Sequence, residues 1–162
     1  KPFGIETVRR MNELGIIIDT AHLSDGGFWD VVKYSTKPFV ASHSNARELC
    51  PVMRNLTDDM LRAVADKGGM VGLNYAADFL VDKTRYTYCA DIARHARYMA
   101  DKAGVDIVAL GSDFDGIGGE LEMDDCSKLP LLAEALRREG FTEDEVERVF
   151  YRNAQRFFED NL

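Results

Sequence analysis

Cysteine is scarce in this sequence of 162 residues, which contains only three. Cys50, Cys89 and Cys126 are odd in number, widely spaced and form no CxxC pair. This pattern argues against a disulfide framework and against a structural zinc knuckle. We therefore expect three reduced thiols.

Positive charge is also in deficit, with 20 Lys and Arg residues against 28 Asp and Glu residues and a net charge of -8. Such a chain repels nucleic acid and anionic lipid. No apolar run approaches the roughly 20 residues that a transmembrane helix needs. We expect a small-molecule substrate and no nucleic-acid or membrane partner. We also expect a cytoplasmic location. Because the sequence begins at Lys1 without Met, it does not show whether a signal or transit peptide precedes it.

Several catalytic motifs are missing. The sequence has no GxSxG nucleophile elbow, no GxxxxGK phosphate-binding loop and no GxGxxG turn, which disfavours a serine hydrolase, a P-loop enzyme and a dinucleotide-binding domain. The 46% of hydrophobic and 30% of charged residues are typical of a globular protein. The length fits one domain over residues 1–162.

Four short apolar segments each end in polar residues, and they are residues 15–19, 37–43, 70–74 and 106–111. Continuous apolar runs of this length are typical of strands that are buried on both faces of a parallel sheet. We predict four parallel strands, the first ending near His22 and the others at His43, Asn74 and the segment before Asp113.

Helical patterns lie between these segments. Leu56 and Leu61 are placed as a hydrophobic staple around an N-cap at Thr57. A second helix is predicted over residues 87–103 and ends at Gly104. A capping box at residues 142–145 opens a packed C-terminal helix. Residues 114–128, rich in glycine and acidic side chains, are predicted to form an irregular loop over the site.

Alternating strands and helices indicate βα units and an α/β fold with a parallel sheet. Four such units are half of a (β/α)8 barrel of the TIM type. Because active sites of these barrels lie at the carboxyl ends of the strands, His22, His43, Asn74 and Asp113 are candidate site residues. His95 lies in mid-helix and past no strand, so we predict that it is structural.

The spacing of His22 and His43 is one βα repeat, which brings their imidazoles to one rim where they can share a zinc ion. Asp113 is placed to handle a proton there. A calcium loop beginning at Asp113 is the alternative, but Ile117 stands where such a loop is usually polar. Arg54 follows the second strand and is either a solvated side chain or a clamp for a substrate carboxylate.

Four segments together resemble the renal (membrane) dipeptidase family, and they are DTAHLS at 19–24, SHSNA at 42–46, RNL at 54–56 with the acidic pair at 58–59, and GSDFDG at 111–116. They occur in the family's order and spacing over nearly the whole chain. The resemblance implies the C-terminal half of an amidohydrolase-like barrel. It also implies two zinc ions, a bridging hydroxide as nucleophile, and hydrolysis of dipeptides.

The resemblance assigns roles residue by residue. His22 and His43 match two histidines that ligate one zinc, Asp113 matches the acid that handles the proton and contacts the substrate amine, and Arg54 matches the residue that binds the terminal carboxylate. Asn74 is a further substrate-binding candidate, chosen for its place at a strand end.

The family's first-strand His-x-Asp pair and its bridging Glu are absent from this sequence. We therefore expect this chain to hold at most one zinc weakly, to be inactive alone, and to pair with the missing N-terminal half or to form homo-oligomers. Two alternatives stay open, which are another amidohydrolase reaction on lactams, lactones or N-acyl amino acids, and a non-catalytic half-barrel module.

Overall fold

The computed structural model describes residues 1–162 as a mixed α/β structure. In chain order, the helices and strands are α1 (Pro2–Leu14), α2 (Asp25–Tyr34), β1 (Val40–Ala41), α3 (Asp58–Asp66), β2 (Met70–Leu73), α4 (Ala77–Leu80), β3 (Tyr86–Thr87), α5 (Cys89–Ala103), β4 (Val108–Leu110), β5 (Glu120–Leu121), α6 (Leu129–Arg138), α7 (Glu143–Glu147) and α8 (Asn153–Asn161).

The central sheet is parallel and has the strand order β1-β2-β4. Val40 pairs with Met70, and Gly72 pairs with Ala109. All residues of β1 and β2 are buried, as expected for a parallel sheet that helices cover. The predicted strands over residues 37–43, 70–74 and 106–111 are therefore confirmed, each somewhat shorter than its apolar segment.

The first predicted strand, residues 15–19, is reduced to a single bridge between Asp19 and Val40. The Val40 amide donates to the carbonyl of Ile18, and the Thr20 amide donates to the carbonyl of Val40. Ile16 is half exposed whereas Ile18 is buried. The segment lies at the sheet edge, and its pairing is limited to the residues that face Val40.

The helix starts follow the predicted local rules. Thr57 caps α3 by accepting a hydrogen bond from the Met60 amide, and Leu56 and Leu61 are both buried. Thr142 and Glu145 form the complete capping box of α7. From α7 the chain continues through a π-helical segment at Arg148–Arg152 into α8. The predicted C-terminal helix is therefore confirmed as one nearly continuous helix.

The second predicted helix is confirmed as α5, and Gly104 follows it with φ 92°. Its buried face includes Ile92, Ala96 and Met99, and α5 packs against α3 and α6. A positive φ is easily reached only by glycine, so the residue type at 104 permits the turn into the short 3-10 segment Val105–Ile107 and then β4.

Residues 114–128 are not irregular throughout, which corrects that prediction. They contain β5, which pairs in parallel with β3 through Tyr86–Glu120 and Thr87–Leu121, and a 3-10 turn at Cys126–Lys128. The pairing joins segments more than 30 residues apart, so local patterns do not reveal it. The three cysteines are free, as expected, and no helix is long and apolar enough to span a bilayer.

Candidate functional site

The structure brings His22, His43 and Asp113 together at the carboxyl end of the parallel sheet. The Nε2 atoms of His22 and His43 are 2.9 Å apart, and their ring planes are inclined by 59°. The Oδ2 atom of Asp113 lies 3.9 Å from Nε2 of His43. The three residues come from different strand ends, as the barrel-like topology predicts.

Two of these residues have a left-handed backbone, with φ 71° at His22 and 62° at Asp113. Such values are uncommon for residues other than glycine and are often found at functional sites. The turn after Asp113 is closed by the Gly116 amide, which donates to the Asp113 carbonyl. A Cβ at position 116 would lie 2.1 Å from Oδ1 of Asp113. Glycine at this position therefore leaves room for the carboxylate.

Asn74 is fully buried at the end of β2 and is held on several sides. Its amide group donates to Oδ2 of Asp113 at 3.1 Å, and its Oδ1 accepts from the Ala76 amide at 2.7 Å. Its backbone amide donates to Oδ1 of Asn45. The side chain thus orients the Asp113 carboxylate, and a direct substrate contact by Asn74 stays a prediction.

Arg54 turns inward from the loop after β1. Its Nη1 donates to Oγ of Ser44 at 3.0 Å, and its Nη2 donates to the carbonyl of His43 at 2.9 Å. The guanidinium carbon lies 5.7 Å from the ring centroid of Phe79, and Nε is buried without a partner. Burial lowers the pKa of Arg54, but a guanidinium remains charged, so Arg54 places a positive charge beside His43.

The His43 ring is held from its other side, because Oγ of Ser42 lies 2.7 Å from Nδ1. Burial, followed by the positive charge of Arg54, lowers the pKa of His43. The ring is therefore mainly neutral at pH 7. Neutral imidazole is the form that binds metal ions.

His95 has the structural role predicted for it. It is fully buried, its Nδ1 accepts a hydrogen bond from the Ala46 amide at 3.1 Å, and its Nε2 lies 2.9 Å from the carbonyl of Leu80. Burial lowers the pKa of His95. Both nitrogens are used inside the core, so neither is free to meet a ligand.

A cavity of about 470 Å³ opens beside His22 and Asp113. Its other walls come from the segment around α4, from Thr84 and Arg85, and from Gly116 to Gly119. This size suits a small molecule. Residues 116–119 of the loop after Asp113 line this cavity, and that the loop covers the site stays a prediction.

Four further residues shape this site, and no sequence pattern singled them out as candidates: Asp19, Ser42, Ser44 and Arg85. The first three side chains belong to the segments that resemble the family: Ser42 and Ser44 flank His43, and Asp19 lies three residues before His22. That position was the available signal. Arg85 belongs to no motif, so nothing in the sequence pointed to it.

The two histidines fit part of a zinc site. Two nitrogens at 2.0–2.1 Å from a tetrahedral zinc lie about 3.3 Å apart, so the imidazoles need to separate by only a few tenths of an ångström. No cluster of three or more His, Cys, Asp or Glu side chains in the chain is placed to hold a metal ion. The donor set is therefore suitable but incomplete.

Comparisons with known proteins agree on one family. A family model described as membrane dipeptidase, peptidase family M19, matches residues 1–161. An uncharacterized protein in the pqqA 5' region of Klebsiella pneumoniae is 42% identical over 153 residues, which cover 93% of this chain and 56% of that protein.

Solved structures give the same picture. A metallo peptidase from Rhodobacter sphaeroides, crystallised with a phosphinate mimic of the dipeptide L-Ala-D-Ala, superposes with a TM-score of 0.92 at 36% identity, covering 98% of this chain and 46% of that one. A structure described as the dipeptidase AC, also of family M19, has a TM-score of 0.91 at 36% identity, with coverage of 98% and 48%. The chain spans about half the length of these relatives. The fold class predicted from the sequence, half of a barrel, is confirmed by these matches.

Proposed function

The chain belongs to the membrane dipeptidase family, and from that premise we propose that the whole protein hydrolyses the peptide bond of dipeptides at a zinc centre to which this chain contributes His22 and His43. The observation that carries the proposal is the meeting of these two imidazoles with Asp113 beside a cavity of small-molecule size. The similar Rhodobacter sphaeroides peptidase was crystallised with a dipeptide mimic, which supports this substrate class.

Arg54 is the proposed binding group for the free carboxylate of the substrate. A guanidinium binds a carboxylate through two parallel hydrogen bonds. The contacts of Arg54 with Ser44 and the His43 carbonyl hold the fork in one place and leave other N–H groups unused. The guanidinium also lies over the Phe79 ring, 5.7 Å from its centroid.

Asp113 is the proposed proton carrier. Its carboxylate is oriented by Asn74 and borders the cavity beside His22. A carboxylate in this position accepts a proton from the attacking water and returns it to the leaving amine. Bound zinc supplies electrophilic polarisation of the scissile carbonyl and makes water more acidic.

The remaining metal ligands must come from outside this chain, because two histidines alone make a weak, open site. The central sheet also has two outer edges, at β4 and at the segment around Asp19. We propose that another segment of the whole protein covers these edges and completes the metal centre, and that this chain is inactive when isolated. A homo-oligomer is the second way to cover the edges.

Replacing His22 with Ala in the whole protein tests the proposal. Zinc content and dipeptide hydrolysis should both fall sharply. The control is His95→Asn, which alters a histidine of the core, and the folded fraction of this variant should keep the zinc content of the parent. Zinc-dependent activity that survives His22→Ala would reject the assignment.

A substrate panel separates the two enzymatic alternatives. Dipeptides with free and with amidated carboxyl termini are compared with lactams, lactones and N-acyl amino acids. Hydrolysis restricted to free dipeptides supports a dipeptidase, and hydrolysis of the other classes supports a different amidohydrolase reaction. A protein with neither zinc nor hydrolytic activity would be a non-catalytic module.

A further inference from the structure

One carboxylate is bonded to the residue before each of the two site histidines. Oδ1 of Asp19 accepts from the amide of Ala21, which precedes His22, and from the amide of Ser42, which precedes His43, both at 3.0 Å. Oδ2 of Asp19 accepts from Oγ of Ser42 at 2.5 Å. Asp19 therefore connects the two chain segments that carry the histidines.

The protons in this arrangement can be assigned. The Ser42 hydroxyl has a single proton, and it donates that proton to Oδ2 of Asp19. Oγ of Ser42 is then an acceptor toward Nδ1 of His43, 2.7 Å away. Nδ1 must carry the proton of the neutral ring, and Nε2, which faces His22, is left with a free lone pair.

We propose that Asp19 and Ser42 are positioning residues for the metal centre, because they select the His43 tautomer that can ligate zinc through Nε2 and hold the two histidines at a fixed separation. The inference rests on the proposed function for its zinc ion. Partners of this kind orient metal ligands in many proteins, and their removal typically weakens metal binding 10–100-fold.

The competing explanation is that Asp19 and Ser42 only hold the two chain segments together and have no effect on the His43 tautomer. The substitution Ser42→Ala separates the two, because it removes the hydroxyl but keeps both backbone hydrogen bonds to Oδ1 of Asp19. Ser42→Thr keeps the hydroxyl and serves as the rescue variant. Ser35→Ala is the matched control, since it removes a buried hydroxyl that bonds to Asn12 and Lys37 away from the site.

Zinc affinity of the whole protein, measured by competition with a chromophoric chelator, is the first readout. We expect Ser42→Ala and Asp19→Asn to weaken zinc binding by about 10–100-fold. Ser42→Thr and Ser35→Ala should stay within about threefold of the parent. An affinity of Ser42→Ala within the same threefold range would overturn the proposal.

The tautomer of His43 is the second readout, and it does not depend on zinc. Long-range proton–nitrogen correlation spectra of metal-free protein with labelled histidine are recorded above the usual imidazole pKa of about 6.5. We expect a protonated Nδ1 in the parent and in Ser42→Thr, and a shift toward protonated Nε2 in Ser42→Ala. An unchanged tautomer in Ser42→Ala would contradict the proposal.

The two readouts distinguish the two possible failures. A parent protein that neither binds zinc nor hydrolyses dipeptides would reject the proposed function, while the spectra would still decide whether Ser42 selects the tautomer. A parent that binds zinc and hydrolyses dipeptides, with no effect of Ser42→Ala on either readout, would reject the positioning role alone.

Discussion

The Nε2 atoms of His22 and His43 lie 2.9 Å apart although 21 positions separate the two residues in the chain. Without a metal ion, two neutral imidazoles at this distance share one hydrogen bond, in which one ring donates and the other accepts. With the proposed proton on Nδ1 of His43, which lies 2.7 Å from Oγ of Ser42, His43 would be the acceptor and His22 the donor. In the proposed metal centre, a zinc ion would take the place of that shared proton.

Arg54→Lys should weaken the binding of dipeptides that have a free carboxyl terminus. Lysine keeps the charge but loses the planar fork that binds two carboxylate oxygens. We expect KM to rise about 10–100-fold with little change in kcat, the pattern for lost binding that is equal in the ground and transition states. Steady-state kinetics of the whole protein check this, with the exposed Arg62→Lys on α3 as control. An unchanged KM would remove Arg54 from the binding site.

Asp113→Asn should lower kcat and leave zinc content unchanged. Asparagine has the same shape, tolerates the left-handed backbone found here, and still accepts a hydrogen bond from Asn74, but it cannot accept the proton. A loss of about 10²–10⁴-fold is expected for removal of a general acid–base group.

The zinc content of Asp113→Asn, measured together with its kcat, shows which role the residue has. The exposed Asp66→Asn at the end of α3 should behave like the parent. If Asp113→Asn loses zinc as well as activity, the residue is a ligand rather than a proton carrier, and if kcat is unchanged it is neither.

Gly72→Ala should strongly destabilise the fold. A Cβ at position 72 would lie 2.0 Å from the Ser42 carbonyl oxygen and 2.9 Å from Cα of Gly111. These are backbone atoms of the neighbouring strands and cannot rotate away. We expect a loss of several kcal/mol, as is usual for overpacking of a core.

Urea unfolding of the whole protein measures that loss. Gly26→Ala in α2 is the control, because its Cβ would meet nothing within 4 Å, and alanine favours a helix by up to about 1 kcal/mol over glycine. Equal unfolding midpoints for Gly72→Ala and the parent would contradict the prediction. They would show that the backbone on either side of Gly72 moves apart to accept a Cβ.

The ion pair of Asp25 and Arg47 should contribute pH-dependent stability. Arg47 donates two hydrogen bonds of 2.8 Å to Asp25, and these lower the pKa of that carboxyl group. Because the folded-state pKa lies below the unfolded value of about 3.9, the contribution is complete above about pH 5. It is lost as the pH falls through the lowered pKa.

Asp25→Asn should therefore lower the free energy of unfolding near pH 7 by about 0.5–1 kcal/mol, a small amount because the carboxylate is 38% exposed. Near pH 3 the difference from the parent should shrink. Urea midpoints at both pH values test this, with the exposed Asp30→Asn of the same helix as control. A difference that grows as the pH falls would have the wrong sign for this pair.

Local features of the chain were predictable from the sequence. Thr57 and the capping box at Thr142 act within three residues of themselves, so their patterns identify helix starts directly. The apolar segments before His43 and Asn74 identify strands, because a short continuous apolar run is itself a local pattern. The four motif segments, with one βα repeat between His22 and His43, indicated the family and the rim on which both histidines lie.

Contacts between distant segments were decided only by the tertiary structure. The first apolar segment forms only a single bridge at a sheet edge, and β3 pairs with β5 although α5 and β4 lie between them in the chain. The bond from Asn74 to Asp113 and the connection from Asp19 through Ser42 to His43 join residues on separate strands. Hydrogen bonds of this kind depend on distances of a few tenths of an ångström, and strand packing, not residue order, sets those distances.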